Sequence, residues 1–320
     1  NPYTQQGDIG LEHEITRDLG VTLSYLWSRG VQLYSVRDLN IGALGPDVTY
    51  RINDANGNQT GSYTTPTYRI ANRVDTRWRG VHQIENGGRS FYDAMVLQVR
   101  KRFSKMWEGS VAYTWSHAID YNQGGGNDNI FYDIKRSLFN GDFKRDKSSS
   151  ALDQRHRFVG TAIFTPVFTK KTDAFSKYLV NGWQLSNIFT GASAQAQTPT
   201  IFVSGTPFAG AANTTSLNGF GGSTRVPFMP AASLDIDQIV RLDSRLTKIL
   251  AFTERYQLFL NFEAFNVFNH VSDTAVNGQA FQATNGVLTP TPRLGLGSAS
   301  QGFPDGTNAR RAQFSVRFVF

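Results

Sequence analysis

Asp153 and His156 follow closely on Ser148, Ser149 and Ser150, so this stretch holds the three residue types of a hydrolytic triad. In a triad, a histidine base oriented by a carboxylate takes the proton of a serine hydroxyl. Spacing alone supplies no such geometry, and the same stretch reads as the polar start of a β-strand. No catalytic residue is assigned, and the chain is not expected to be an enzyme. His117 and Asp120, near the end of another alternating segment, read as interfacial polar residues.

The loop Gly124-Gly125-Gly126-Asn127-Asp128-Asn129 offers oxygen ligands for calcium. It lacks the spacing and the closing bidentate Glu of an EF-hand, and no Gly-Lys-Ser/Thr follows its glycines to cradle a phosphate. No metal, nucleotide or other cofactor is expected. The fullest charged constellation is Arg241, Asp243 and Arg245 facing Asn261 and Glu263, with Gln257 on the same side. Charges of this kind on a sheet either neutralise one another or contact what fills or crosses the space they face.

Strand alternation is what would position them, since successive side chains point to opposite faces. Val240, Leu242 and Leu246 share a face with Leu258, Leu260, Phe262 and Ala264 across a turn at residues 253–255. The polar set above falls on the other face. A first hairpin matches Ile9, Leu11, His13 and Ile15 with Val21, Leu23, Tyr25 and Trp27. A second matches Met95, Leu97, Val99 and Phe103 with Val111, Tyr113 and Trp115. A third, over residues 157–191, leaves its register open, because Val159 and Ile163 compete with Phe158 and Phe164 for the apolar face. In the last nine residues Phe314, Val316, Phe318 and Phe320 alternate with Gln313, Ser315 and Arg317.

No uninterrupted apolar run approaches the roughly 18 residues of a spanning helix. A membrane protein of this sequence would have to cross as a barrel, the other structure that satisfies every backbone group in lipid. Its 13% aromatic residues and 30 glycines suit strands, turns and interfacial girdles. Tyr25, Trp27, Tyr113 and Trp115 fall at one end of the strands, and Phe103, Trp107, Phe252 and Tyr256 at the other. The net charge of +7 is scattered among acids, which argues against a nucleic-acid partner and suits lipid headgroups or an arginine-lined lumen. There is no cysteine, hence no disulfide.

Long polar, Gly-rich stretches at 29–91, 120–156, 192–238 and 270–308 alternate with short turns. That rhythm belongs to outer-membrane barrels, with short periplasmic turns and long external loops. The expected fold is therefore all-β: an incomplete antiparallel transmembrane barrel of nine or ten strands with long extracellular loops, in the outer membrane against lipid. A soluble β-sandwich that recognises carbohydrate through Phe131, Tyr132 and Phe220 is the competing class. It would gather four long loops at one end without a reason.

The terminal strand resembles the signal by which bacterial outer-membrane barrels reach the barrel assembly machinery. Gln313, Phe318 and Phe320 carry the likeness, and Ser315 stands where that pattern has glycine. Four further stretches resemble the barrel of TonB-dependent receptors, in particular the subgroup with a carboxypeptidase-regulatory-like domain near the N-terminus. They are Ser28-Arg29-Gly30 followed by Arg37-Asp38-Leu39-Asn40, then Tyr113-Thr114-Trp115-Ser116, Asp153-Gln154-Arg155-His156-Arg157-Phe158, and Glu263-Ala264-Phe265-Asn266-Val267-Phe268-Asn269-His270. The resemblance implies a barrel of about 22 strands, filled by a plug and energised through the TonB complex. It also implies uptake of a large scarce solute such as an oligosaccharide, a peptide or a metal chelate. A passive porin-like channel is the alternative within membranes. Residues 1–320 read as the C-terminal part of such a barrel. Asn1 to Gln6 lack the features of a signal peptide, so signal peptide and plug are expected outside this stretch.

Overall fold

A computed structural model of the chain describes residues 1–121, 137–222, 224–298 and 309–320. Its largest sheet is antiparallel, and nine of its strands follow one another in space as in sequence. They are β1 (Tyr3–Thr16), β2 (Leu19–Asp38), β3 (His82–Ser104), β4 (Trp107–Asp120), β5 (His156–Phe164), β6 (Trp183–Ala192), β7 (Ile239–Ala251), β8 (Gln257–Phe265) and β9 (Arg311–Val319). A two-residue strand, Ser148–Ser149, pairs with β4 beside this path. β1 and β9 are its two edges. Two face-packed sheets, as a sandwich requires, are not what these strands form.

The hairpins take the registers their alternation demands. Leu11 lies opposite Leu23 and Ile9 opposite Tyr25, Leu97 opposite Tyr113, and Phe262 between Leu246 and Phe314. Lys105 and Met106 both adopt positive φ, 49° and 73°, between Ser104 and Trp107. Two such residues make a type I′ connection, whose twist matches the flanking strands.

The open register of β5 and β6 resolves in favour of the phenylalanines. Phe158 pairs with Tyr113, and Phe164 with Trp107, so both join the apolar face while Val159 and Ile163 turn to the other. Periodicity missed this because small or polar residues share that apolar face: Gly160 opposite Phe189, and Ala162 opposite Asn187. The aromatic rings cover the gaps. A Cβ on Gly160 would sit 3.2 Å from the Phe158 ring and one on Gly191 3.2 Å from the Phe189 ring.

Polarity across the wall is inverted relative to a soluble protein. Leu11 is 76% exposed, Phe314 65% and Phe262 52%, whereas Arg241, Thr247 and Glu263 are buried. Contiguous exposed apolar surface of this extent needs an apolar medium to cover it. β2 and β3, with 20 and 23 residues, exceed the roughly 9 to 11 that a tilted transmembrane strand needs. At about 3.3 Å per residue β3 is roughly 75 Å long, far more than an apolar band of about 25 Å requires. Their far ends run on into the long loops.

Those loops are not the unstructured stretches that their polar, Gly-rich composition suggests. Thr200–Val203, Gln279–Thr284, Val287–Pro290, Gly45–Asn53 and Gln59–Thr67 make a second, five-stranded sheet in that order. Its core contains Tyr50, Ile201, Leu217, Val226 and Leu288. Three loops distant in sequence thus share one apolar interior, a cap at the long-loop end of the wall.

Candidate functional site

On β7 and β8 the structure brings together most of the charged residues singled out above. Arg241 Nε lies 2.9 Å from Asp243 Oδ1, and Arg245 Nε lies 2.5 Å from Glu263 Oε1 across the strand pair. One layer further, Thr247 donates to Asn261 Oδ1 at 2.8 Å, and Asn261 Nδ2 donates to Ser315 of β9 at 3.2 Å. Gln313 pairs with Glu263, while Gln257 lies apart at the short-turn end between Ala251 and Val319. Phe318 stacks on Tyr256 at 6.1 Å and Phe320 on Phe318 at the same separation.

Asp243 also serves the start of the last long loop. Its Oδ1 accepts the backbone N–H of Asn266 at 2.8 Å. Asn266 is buried, has φ +51°, and clamps both backbone groups of His270 through its side chain. Asparagine tolerates this left-handed conformation better than most residues. The Glu263–His270 stretch is therefore a strand terminus locked to the polar wall.

The other stretches behave alike. Asp153 Oδ1 accepts from Ala118 N at 2.7 Å, Gln154 O accepts from Ser116 Oγ at 2.9 Å, and His156 N donates to Ser193 Oγ at 3.0 Å. His156 Nδ1 and the Tyr113 hydroxyl are 2.8 Å apart, with the rings stacked. His156 thus belongs to the aromatic girdle, and the hydrolytic grouping does not assemble. Ser149 instead approaches His117 Nε2 at 3.3 Å. Asp38 accepts the backbone N–H groups of Asn40 and Val81, each at 2.9 Å. Asn140 of the second loop grips both backbone groups of Asp38.

Cross-loop contacts then close the cap. Tyr50 donates its hydroxyl to Leu217 O at 2.7 Å, and burial pushes its pKa up to about 12. Asn218 donates to Leu138 O at 2.7 Å. Arg225 of the third loop meets Asp146 of the second at 3.1 Å, with the carboxylate 1% exposed. Burial raises the Asp146 pKa, against the opposing pull of Ser137 and Arg225. Phe220, considered above as a carbohydrate platform, is buried against Tyr68 at 5.1 Å. The Gly124–Asn129 loop, Phe131 and Tyr132 lie outside the described residues. Among the described residues no group of three or more His, Asp or Glu gathers as a metal site.

Sequence reasoning did not find Asn140, Asn218 and Asn266 as individual anchors. For Asn266 the available signal is an Asn at the end of an alternating strand, where the backbone must turn; Asn140 and Asn218 lie inside long loops and carry no such signal.

An antiparallel wall with an apolar outside, a charge-paired inner face and one heavily looped end defines an outer-membrane β-barrel protein. Comparison with family models agrees: residues 1–301 match the outer membrane beta barrel domain. The chain belongs to that family, and its place is the outer membrane. Among solved structures it is similar to the outer membrane transporter YddB from Escherichia coli, at 12% identity and a TM-score of 0.49, over 98% of this chain and 32% of that one. The chain thus spans about a third of that protein's length. No curated protein matches it.

Proposed function

We propose that this wall is the later part of the barrel of a TonB-dependent receptor taking up a large scarce solute, such as an oligosaccharide, a peptide or a metal chelate. The carrying observation is the cap. A passive pore gains nothing from four loops knitted through a separate apolar core and a buried ion pair between Asp146 and Arg225. A receptor does gain, because recognition of a dilute solute is tighter on a surface already ordered before binding. The receptor-like stretches support the same reading, since Arg37 to Asn40, Asp153 to Phe158 and Glu263 to His270 sit where wall meets loop.

In this reading Arg241, Asp243, Arg245, Gln257, Asn261 and Glu263 face the barrel interior, where their outer edges contact a plug. Mutual pairing leaves the two arginine–carboxylate pairs as wall supports first. Gln313, Phe318 and Phe320 serve recognition by the barrel assembly machinery. TonB engages a part of the protein beyond this stretch.

Planar-bilayer recording of the intact protein separates receptor from channel. A plugged receptor gives no steady open conductance, and it binds the periplasmic domain of TonB in a pull-down. A stable conductance without TonB binding would assign a passive channel instead.

A further inference from the structure

The connection between β5 and β6 differs from the other short-end turns. Residues 166–181 form an ordered knot rather than a tight hairpin. At its neck Asn181 Oδ1 accepts from Phe168 N at 2.9 Å, and Asn181 Nδ2 donates to Thr169 O at 2.7 Å. Inside it, Asp173 accepts from the backbone and the hydroxyl of Ser176, at 3.0 and 2.8 Å, ahead of a single π-turn over Ser176–Val180.

The knot is folded onto the outward face of the wall. Lys248 stands between Trp183 and Leu260 in register, so it shares the lipid-facing side. Its Nζ sits 4.7 Å from the Trp183 ring centroid and donates to Leu179 O at 3.2 Å and to Asn181 O. Trp183 Nε1 donates to Leu179 O at 3.1 Å. Gly182, at φ +82°, allows the closest approach, since a Cβ there would meet Ile249 O at 2.4 Å.

What the knot presents is apolar and basic together. Val167, Phe168, Phe175 and Leu179 are 59% to 64% exposed. Lys170, Lys171 and Lys177 are exposed beside them, while the one acid of the segment, Asp173, is held by Ser176. Tyr178 packs 6.0 Å from Phe252 of the next turn. Phe164 and Leu185, at the strand ends that the knot joins, lie opposite each other, and Phe164 also pairs with Trp107; all three are outward and exposed. Apolar side chains with interspersed lysines, at the level where a lipid-facing band ends, fit acyl chains below and phosphates beside them.

We propose that residues 166–181 are a phospholipid-binding pad: the aromatic and leucine side chains dip into the inner leaflet of the outer membrane, and Lys170, Lys171 and Lys177 hold anionic headgroups. Lys248 and Gly182 orient the pad without touching lipid phosphate.

The 320 residues contain no cysteine, and in a background with no other reactive cysteine single cysteines can carry a nitroxide. Phe175→Cys and Leu179→Cys, each labelled in the intact protein, would be placed in lipid nanodiscs with no other protein present. Glu254→Cys, in the neighbouring turn, is the aqueous reference. Expected is a loss of collisions with a water-soluble nickel complex and a gain with oxygen at both pad positions. Shielding should deepen when phosphatidylglycerol replaces part of the phosphatidylcholine, and Lys170→Gln, Lys171→Gln and Lys177→Gln together should abolish that increment. Nickel accessibility at both positions equal to that at Glu254→Cys overturns the proposal and leaves the patch to a periplasmic protein. Shielding indifferent to phosphatidylglycerol overturns the lysine contacts.

Discussion

At the scale of single residues, charge is used chiefly to join pieces of backbone. Asp243 holds Arg241 and the first residue of a loop at once, and Asn266 closes that loop on His270. Asn266→Ala removes these side-chain bonds and places a Cβ residue without a local partner at φ +51°. A loss of about 1 to 3 kcal/mol is expected, read by urea titration of the protein in bilayers; Asn266→Asp should lose less. Asp146 allows a test by pH. Burial lifts its pKa above 3.8, so the folded protein binds the proton more tightly than the unfolded chain. Its stabilising contribution is then complete below the ordinary value and is lost as pH rises through the folded one. Hydrogen-exchange protection in the cap, corrected for intrinsic rates, should fall as pH rises from about 4, and Asp146→Asn should flatten that dependence. The pairing of Arg245 with Glu263 could be anticipated from alternation. The partners of Asp153 and His156 could not, because proximity in sequence says nothing about the backbone N–H of Ala118 that Asp153 accepts or the hydroxyls of Tyr113 and Ser193 that meet His156.

At the scale of elements, legibility follows the contrast between faces. β8 and β9 were readable since Leu258, Leu260, Phe262, Phe314, Val316 and Phe318 alternate with polar residues almost without exception. β5 and β6 were not, because glycine, alanine and asparagine occupy outward positions and valine and isoleucine inward ones. The cap strands were hidden for another reason: Thr200–Val203 pairs in parallel with Gln279–Thr284, and Val287–Pro290 with Gly45–Asn53, so no local pattern announces their partners. For the wall, Phe262→Arg should cost on the order of 2 to 4 kcal/mol in bilayer refolding, whereas Asn261→Arg, on the opposite face, should cost much less. Equal losses would contradict the assigned faces. β9 is an edge whose apolar side ends in Phe318 and Phe320, and an unpaired edge invites mispairing. Deleting Phe320 should lower the outer-membrane level of the full-length protein and increase its periplasmic degradation. Unchanged levels would reduce this residue to an interfacial anchor.

At the scale of the molecule, one chain carries two kinds of hydrophobic surface with opposite destinations. The wall turns its apolar residues outward to lipid, and the cap turns Tyr50, Ile201, Val226 and Leu288 inward, away from water. Both follow from the same rule of area removed from water, applied on either side of the membrane boundary. Such a molecule has one orientation: long loops and cap outside the cell, short connections in the periplasm. The most direct measurement is labelling of single cysteines on intact cells with a maleimide too large to cross the outer membrane, in a background with no other reactive cysteine. Asn56→Cys, exposed in the cap, should label on intact cells, and Glu254→Cys, between β7 and β8, only after the outer membrane is opened. Labelling of Glu254→Cys on intact cells with Asn56→Cys protected would contradict the account, as would recovery of the protein in the soluble fraction.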